Sequence, residues 1–257
     1  MSKNREQTDL RRKITVWITL GICLVEPMSA LGAPIMPDTK APAVHQPLVQ
    51  ETANGVPLVN ITAPTASGVS RNQYEAFNVP TQGAILNNSY TLSETKLAGL
   101  VQGNQNMVAG PATIIVNEVT SANPTAMNGF LEVAGAKAGV VIANPNGITV
   151  NGGGFIHTNQ ALLTTGKPIF NEMGHLQRLD ITKGEITVEG MGLDARTTGK
   201  LDILTRAATI NAGIWGSHIN IITGANQVTY GALETTPIRL EQPMPEITAN
   251  FSGEISS

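Results

Sequence analysis

From Gly68 onward the chain alternates short apolar runs with short polar breaks. The runs include Ala84 to Leu86, Ile114 to Val119, Leu131 to Val133, Gly139 to Ala143, Ile148 to Val150, Leu162 to Thr164, Leu179 to Thr182, Leu201 to Thr205, His218 to Thr223 and Gln227 to Tyr230. Each is about four to six residues, the length of a strand, and no window keeps a helical period beyond two turns. Between them lie turn signals such as Asn87-Asn88-Ser89, Asn128-Gly129, Asn146-Gly147 and Asn151-Gly152-Gly153-Gly154. The pattern predicts an all-β chain. The stretches at 185–189, 201–205 and 218–223 recur at a nearly constant spacing, near the length of one coil of a β-helix.

Composition chooses among the all-β architectures. Charged residues make up 14% and aromatics 4%, while Gly numbers 26, Thr 28 and Asn 21. Sandwich cores usually lean on aromatic anchors, whereas a solenoid core is narrow and filled by stacked aliphatic side chains, with Asn and Thr at its corners. The balance favours the solenoid. A net charge of −3 gives no electrostatic footprint for nucleic acid, and the 41% hydrophobic content argues against disorder.

The segment 1–33 reads as a Sec-type signal peptide. Lys3, Arg5, Arg11, Arg12 and Lys13 precede the apolar run Ile14 to Val25, and small residues follow at Ser29, Ala30, Gly32 and Ala33. The run from Ile14 to Val25 is too short to span a bilayer. Removal of this segment leaves a formal charge of −5 and takes away Cys23, the only cysteine, so no disulfide could staple the exported chain. Residues 34–67, with Pro34, Pro37, Pro42, Pro47, Pro57 and Pro64, read as an extended, partly mobile leader. After Gly231 the pattern fails at Thr236-Pro237 and Gln242-Pro243-Met244-Pro245, which predicts a frayed tail over 232–257.

The segment Asn117 to Lys167, with Asn72 to Ser89, Gly103 to Ala112 and Gly190 to Val228, closely resembles the N-terminal secretion domain of filamentous haemagglutinin-like exoproteins, the substrates of two-partner secretion. The likeness covers about 68–231. It implies a right-handed parallel β-helix with an N-terminal cap and small extra-helical hairpins. It also implies a partner: the periplasmic POTRA domains of a dedicated outer-membrane transporter, which take the chain unfolded after Sec export and pass it to the cell surface. Such domains head large adhesins or contact-dependent inhibition toxins. Two motifs carry over by position. Asn144-Pro145-Asn146-Gly147-Ile148 is the intact NPNGI motif, and Asn104-Gln105-Asn106-Met107 occupies the place of NPNL with two changes. Family members often carry Cys at the positions of Val150 and Gly153, and this chain has none there.

Read on their own chemistry, the motifs are corners. Asn144 can fold its side chain onto its own backbone, Pro145 presets φ, and Asn146 or Gly147 tolerates positive φ. Catalytic chemistry finds little support. The densest ionisable group, Asp194, Arg196, Lys200 and Asp202 with Glu185 and Glu189 nearby, reads as a solvated face with local ion pairs. His45, His157, His175 and His218 lack metal-ligand spacing, and no cofactor motif is present. Trp215 reads as a buried aromatic that closes a coil, His157 and His218 as solvent-facing. The expected function is non-enzymatic: a secreted domain that targets its chain to the transporter and nucleates folding outside. A small adhesin binding host or bacterial surfaces directly is the alternative.

Overall fold

The computed structural model describes residues 35–239 and the two short strands Asn250–Phe251 and Ile255–Ser256; the expected signal peptide lies outside the described residues. The chain winds as a parallel β-helix with three faces. One coil shows the route. Ile114–Val119 lies on the first face, Thr125–Met127 on the third and Phe130–Gly135 on the second, and Ala138–Ala143 then returns to the first, beside Ile114–Val119. Parallel pairing is forced by this winding, since each strand meets its neighbour only after a full circuit.

Stacking follows the register. Ile115, Val140, Ala161, Leu201 and Ile219 form one inward row of the first face, and Ile148, Ile186 and Ala208 form one on the third. All of these but the small, buried Ala208 share one core with Leu86, Leu131, Val133 and Phe155 of the second face. Burial of such rows, at about 25 cal/mol per Å² of apolar surface, is what holds successive coils together.

Coil length is irregular. The circuit from Leu201 to its partner Ile219 is shorter than the circuit from Glu185 to its partner Ala207. The apparent repeat from 185 to 201 joins strands on different faces: Glu185–Val188 is on the third and Leu201–Thr205 on the first.

The first face is apolar on both sides. Its outward residues Val116, Val141, Ala143, Leu162 and Leu204 are covered by Leu176, Leu179, Ile181 and Val228. The cover is a four-stranded antiparallel sheet of Lys167–Phe170, Leu176–Ile181, Asn226–Thr229 and Thr235–Pro237. The runs at 179–182 and 227–230 are therefore part of an extra-helical layer and make no coil. A second excursion, the hairpin of Ser93–Thr95 and Gly99–Val101, covers part of the second face through Leu97, Ala98 and Val101.

The Pro-rich segment is a cap and not an extended leader. Met36–Pro37 pairs antiparallel with Val69–Ala76, and the hairpin of Leu48–Glu51 with Pro57–Asn60 extends the second face by pairing with Ala84–Asn88. Val59 and Ile61 are fully buried in the main core. Proline is tolerated here because Pro37 and Pro57 stand at strand ends and edges, where a missing N–H donor costs little. At the other end, Thr235–Pro237 joins the extra-helical sheet, while Asn250–Phe251 and Ile255–Ser256 pair in parallel with Ala207–Ile210 and Ile214–Gly216. The 232–257 stretch thus contributes strands where a frayed tail was expected.

Candidate functional site

Both motifs fold as corners in which every amide group of the leading asparagine is used. Asn144 follows Ala138–Ala143 and is fully buried. Its Oδ1 accepts the backbone N–H of Asn146 at 2.9 Å, which closes a side-chain turn. Its Nδ2 donates to Asn123 O and to Thr125 Oγ1, each at 2.9 Å, on the preceding coil. The backbone N–H of Asn144 donates forward to Thr164 O at 2.9 Å, so one residue links three successive coils.

The rest of the motif serves the same corner. Asn146 Nδ2 donates to Ser121 O at 2.7 Å, and its Oδ1 accepts from Lys183 Nζ at 2.9 Å. Gly147, and not Asn146, takes the positive φ, at 108°. A Cβ there would stand 3.0 Å from Glu185 O on the next coil. Pro145 is half-buried, and Ile148 drops into the core at 1% exposure.

The second motif repeats this wiring at a different place. Asn104, 2% exposed, accepts the N–H of Asn106 on Oδ1 at 3.0 Å and donates through Nδ2 to Ile61 O at 2.9 Å and Asn87 O at 3.0 Å. Asn106 Nδ2 also donates to Ile61 O, at 2.9 Å. Gln105–Met107 is a single 3₁₀ turn, with Met107 buried in the core and Gln105 exposed. Asn104 N donates to Ser89 O at 2.7 Å, which closes the neck of the extra-helical hairpin. The two changes from NPNL leave both asparagines and their bonds in place.

Sequence reasoning missed a further set of buried amides. Asn88, read as part of a turn, lies in Ala84–Asn88 with Nδ2 on Ala112 O and Ala136 O, both at 2.9 Å, and Oδ1 on Ala112 N at 2.7 Å. Asn72 and Asn117 are register partners, and their Nδ2 groups reach Val116 O and Val141 O on the following coils at 3.4 and 3.3 Å. The Tyr74 hydroxyl donates to Asn117 Oδ1 at 3.0 Å, and complete burial raises its pKa well above the usual tyrosine value. An N-x-N pattern signals the corners, but nothing in the local sequence marks a single Asn in an apolar strand as a coil-to-coil tie.

The remaining candidates sort by geometry. Asp194 pairs with Arg196 at 2.6 Å and Lys200 with Asp202 at 3.0 Å, both local contacts. Asp194 is held below the ordinary carboxylate range, first by its hydrogen bond from the Arg196 guanidinium, then by the Arg196 backbone N–H and charge, against the opposing effect of burial. His157 and His218 are exposed, and His157 adopts a positive φ of 58° with Nδ1 3.0 Å from Val133 O. Trp215 corrects the sequence reading. In Ile214–Gly216 it is Ile214 that points into the core, while Trp215 faces outward and is half-buried. Near the cap, His45 Nδ1 stands 3.1 Å from Gln73 Oε1, beside the Arg71–Glu118 ion pair at 2.7 Å. Desolvation, then the Arg71 charge, lowers the His45 pKa.

The chain and its fold match known proteins. Toxin CdiA of Yersinia pestis is 45% identical over 222 residues, covering 85% of this chain and 7% of that protein. The 16S rRNA endonuclease CdiA of Enterobacter cloacae is 47% identical over 182 residues, covering 70% of this chain and 6% of that protein. The chain therefore spans less than a tenth of the length of these relatives. Among solved structures, the filamentous hemagglutinin secretion domain superposes with a TM-score of 0.75 and 30% identity, covering 87% of this chain and 74% of that one. The signature of the TPS secretion domain matches residues 33–252, and the chain belongs to that family.

Proposed function

We propose that this chain is the export-targeting segment of a two-partner secretion exoprotein, non-enzymatic in itself. Residues 1–33 would direct it through the Sec machinery and be removed, and 34–257 would then engage the POTRA domains of a cognate outer-membrane transporter. Folding of the β-helix at the cell surface, from the cap forward, would draw the chain outward, because each coil laid on the previous one buries more apolar surface. The signature match over 33–252 supports the targeting role. The names of the toxin relatives describe proteins of which the matched segment is 6% to 7%.

The observation that carries the reading is the state of the two corners. In the folded coil Asn104 and Asn144 are buried and fully bonded, so they offer a partner little beyond the neighbouring Gln105, Asn106, Pro145 and Asn146. On our reading the transporter takes the asparagines before the coil forms, and folding then withdraws them. Secretion of the full chain is measured with the transporter present and deleted, alongside Asn104→Ala and Asn144→Ala. We expect export to be lost without the transporter and reduced in both variants. Equal secretion with and without the transporter would refute the proposal.

A further inference from the structure

Four Asn-Gly pairs occur in the chain: Asn54-Gly55, Asn128-Gly129, Asn146-Gly147 and Asn151-Gly152. In a mobile chain such a pair reacts with itself in water, because glycine has no Cβ to keep its nitrogen away from the asparagine side chain. The glycine nitrogen loses its proton to solvent base and bonds to the asparagine Cγ, while the Cγ–Nδ2 bond breaks and ammonia leaves with a proton from water. Water then opens the resulting five-membered imide at either carbonyl. The product is aspartate or, with the main chain rerouted through the side chain, isoaspartate. No electrons are exchanged, and water is the co-reactant.

The folded corner at 146 keeps both reacting groups from this path. The Gly147 N–H donates to Asn144 O at 3.1 Å, and Gly147 is buried. Asn146 Nδ2 donates to Ser121 O at 2.7 Å and to Asn144 Oδ1 at 3.2 Å, while its Oδ1 accepts from Lys183 Nζ at 2.9 Å. Nucleophile and leaving amide each need a bond broken before they can meet. What conversion does differs from pair to pair. Asn151 uses its Oδ1, which accepts the Met191 N–H at 3.1 Å, and a carboxylate oxygen can do the same. Asn54 is exposed, and its Nδ2 bond to Leu97 O at 2.9 Å lies at the surface. At Asn146 the donor itself is the tie to the preceding coil. A carboxylate there sets oxygen against Ser121 O. An isoaspartate adds a main-chain atom beside a glycine at φ 108°, whose Cβ position is 3.0 Å from Glu185 O. The gain, a surface ion pair with the exposed Lys183, is small by comparison.

We propose that Asn146-Gly147 is a self-modification site that folding shields: in an unfolded chain it converts to aspartate or isoaspartate, and a chain so marked closes this corner less firmly. The pair then times the unfolded state. A chain that folds promptly keeps its amide, whereas one kept waiting in water loses it and cannot restore it by itself. The same residue is thus a tie in the folded coil and a record of delay in the unfolded one. This holds for any unfolded stage of the chain; only the place of waiting, before the transporter, rests on the proposed function.

The test uses the full chain and no transporter, so its failure is separate from a failure of the secretion experiment. The chain is held folded and in guanidinium chloride in the same mildly alkaline buffer, and peptide mass mapping follows conversion at Asn146 and Asn151. We expect conversion at Asn146 to be slower by about tenfold or more in the folded chain, since it must wait for local opening. The aged, unfolded chain is then brought to a denaturant concentration near its unfolding midpoint and pulsed with protease, which digests the unfolded fraction. Converted Asn146 should be enriched about fivefold or more in the digested fraction, the effect of one lost buried bond, whereas converted Asn151 should divide evenly. Asn146→Asp should lower the unfolding midpoint without ageing, and Asn151→Asp should leave it unchanged. Equal rates at Asn146 in the folded and unfolded chain overturn the inference, as does an even division of converted Asn146 between the two fractions.

Discussion

The corners at Asn104 and Asn144 share one hydrogen-bond plan and fasten different things. In each, the first asparagine closes a turn onto the residue two ahead and donates backward, and the second asparagine donates backward as well. At 144 the backward partners are Ser121, Asn123 and Thr125, so coil is tied to coil in the middle of the helix. At 104 the partner used twice is Ile61, the residue after the cap strand Pro57–Asn60. The same plan thus serves as an internal tie at one place and as the clasp of the N-terminal cap at the other. Redundancy also differs: Ile61 O has two donors, whereas Asn123 O has the single side-chain donor Asn144.

The comparison sets the order of expected effects. Asn144→Ala removes four bonds at a fully buried site, one of them from an Asn146 amide that keeps Ser121 O, and should cost about 3 kcal/mol at about 1 kcal/mol for each of the other three. Urea unfolding measures this, and a loss below about 1 kcal/mol would mean that the corner is not a tie. Asn104→Ala leaves Asn106 on Ile61 O and should cost about 2 kcal/mol. Its mark is local: amide exchange should quicken in 35–61 well before it does in 185–223, and a uniform increase would contradict the clasp. Gly147→Ala should cost about 1 to 2 kcal/mol, because a side chain is strained at φ 108° and meets Glu185 O.

A fourth effect concerns pH. Because the folded pKa of His45 is depressed, the unfolded chain binds the extra proton more readily. The stability contributed by this site is therefore fully present above the unfolded histidine value and is lost as pH falls from there toward the folded one. The cap should loosen on acidification, read again as exchange in 35–61, and His45→Gln should flatten that dependence. Smallest of all, Gln105→Ala at an exposed position should stay within about 0.5 kcal/mol of the parent.

Turn chemistry was legible in the sequence because the corners are local: an asparagine whose side chain caps the residue two ahead advertises itself as N-x-N. Strands such as Ala138–Ala143 were legible too, as continuous apolar runs buried on both sides. The cap was not, since Met36–Pro37 and Pro57–Asn60 owe their conformation to ladders with Val69–Ala76 and Ala84–Asn88, far along the chain. Trp215 misled for a different reason. In a three-residue strand the parity of one position decides inside from outside, and composition does not state parity. Its aromatic neighbour across the ladder, Phe130, lies several strands earlier in the chain and is invisible to any local window.

The antiparallel sheet on the first face carries a consequence for the order of events. Leu176–Ile181 has Lys167–Phe170 on one edge, but its other edge is filled by Asn226–Thr229, and the coils from 185 to 223 lie between them in the chain. When the coils are laid down in chain order, that edge must wait, with Leu179 lacking Val228, until those between are in place. Closing the sheet is therefore a completion mark: a layer outside the helix that can be finished only when the winding beneath it has been done.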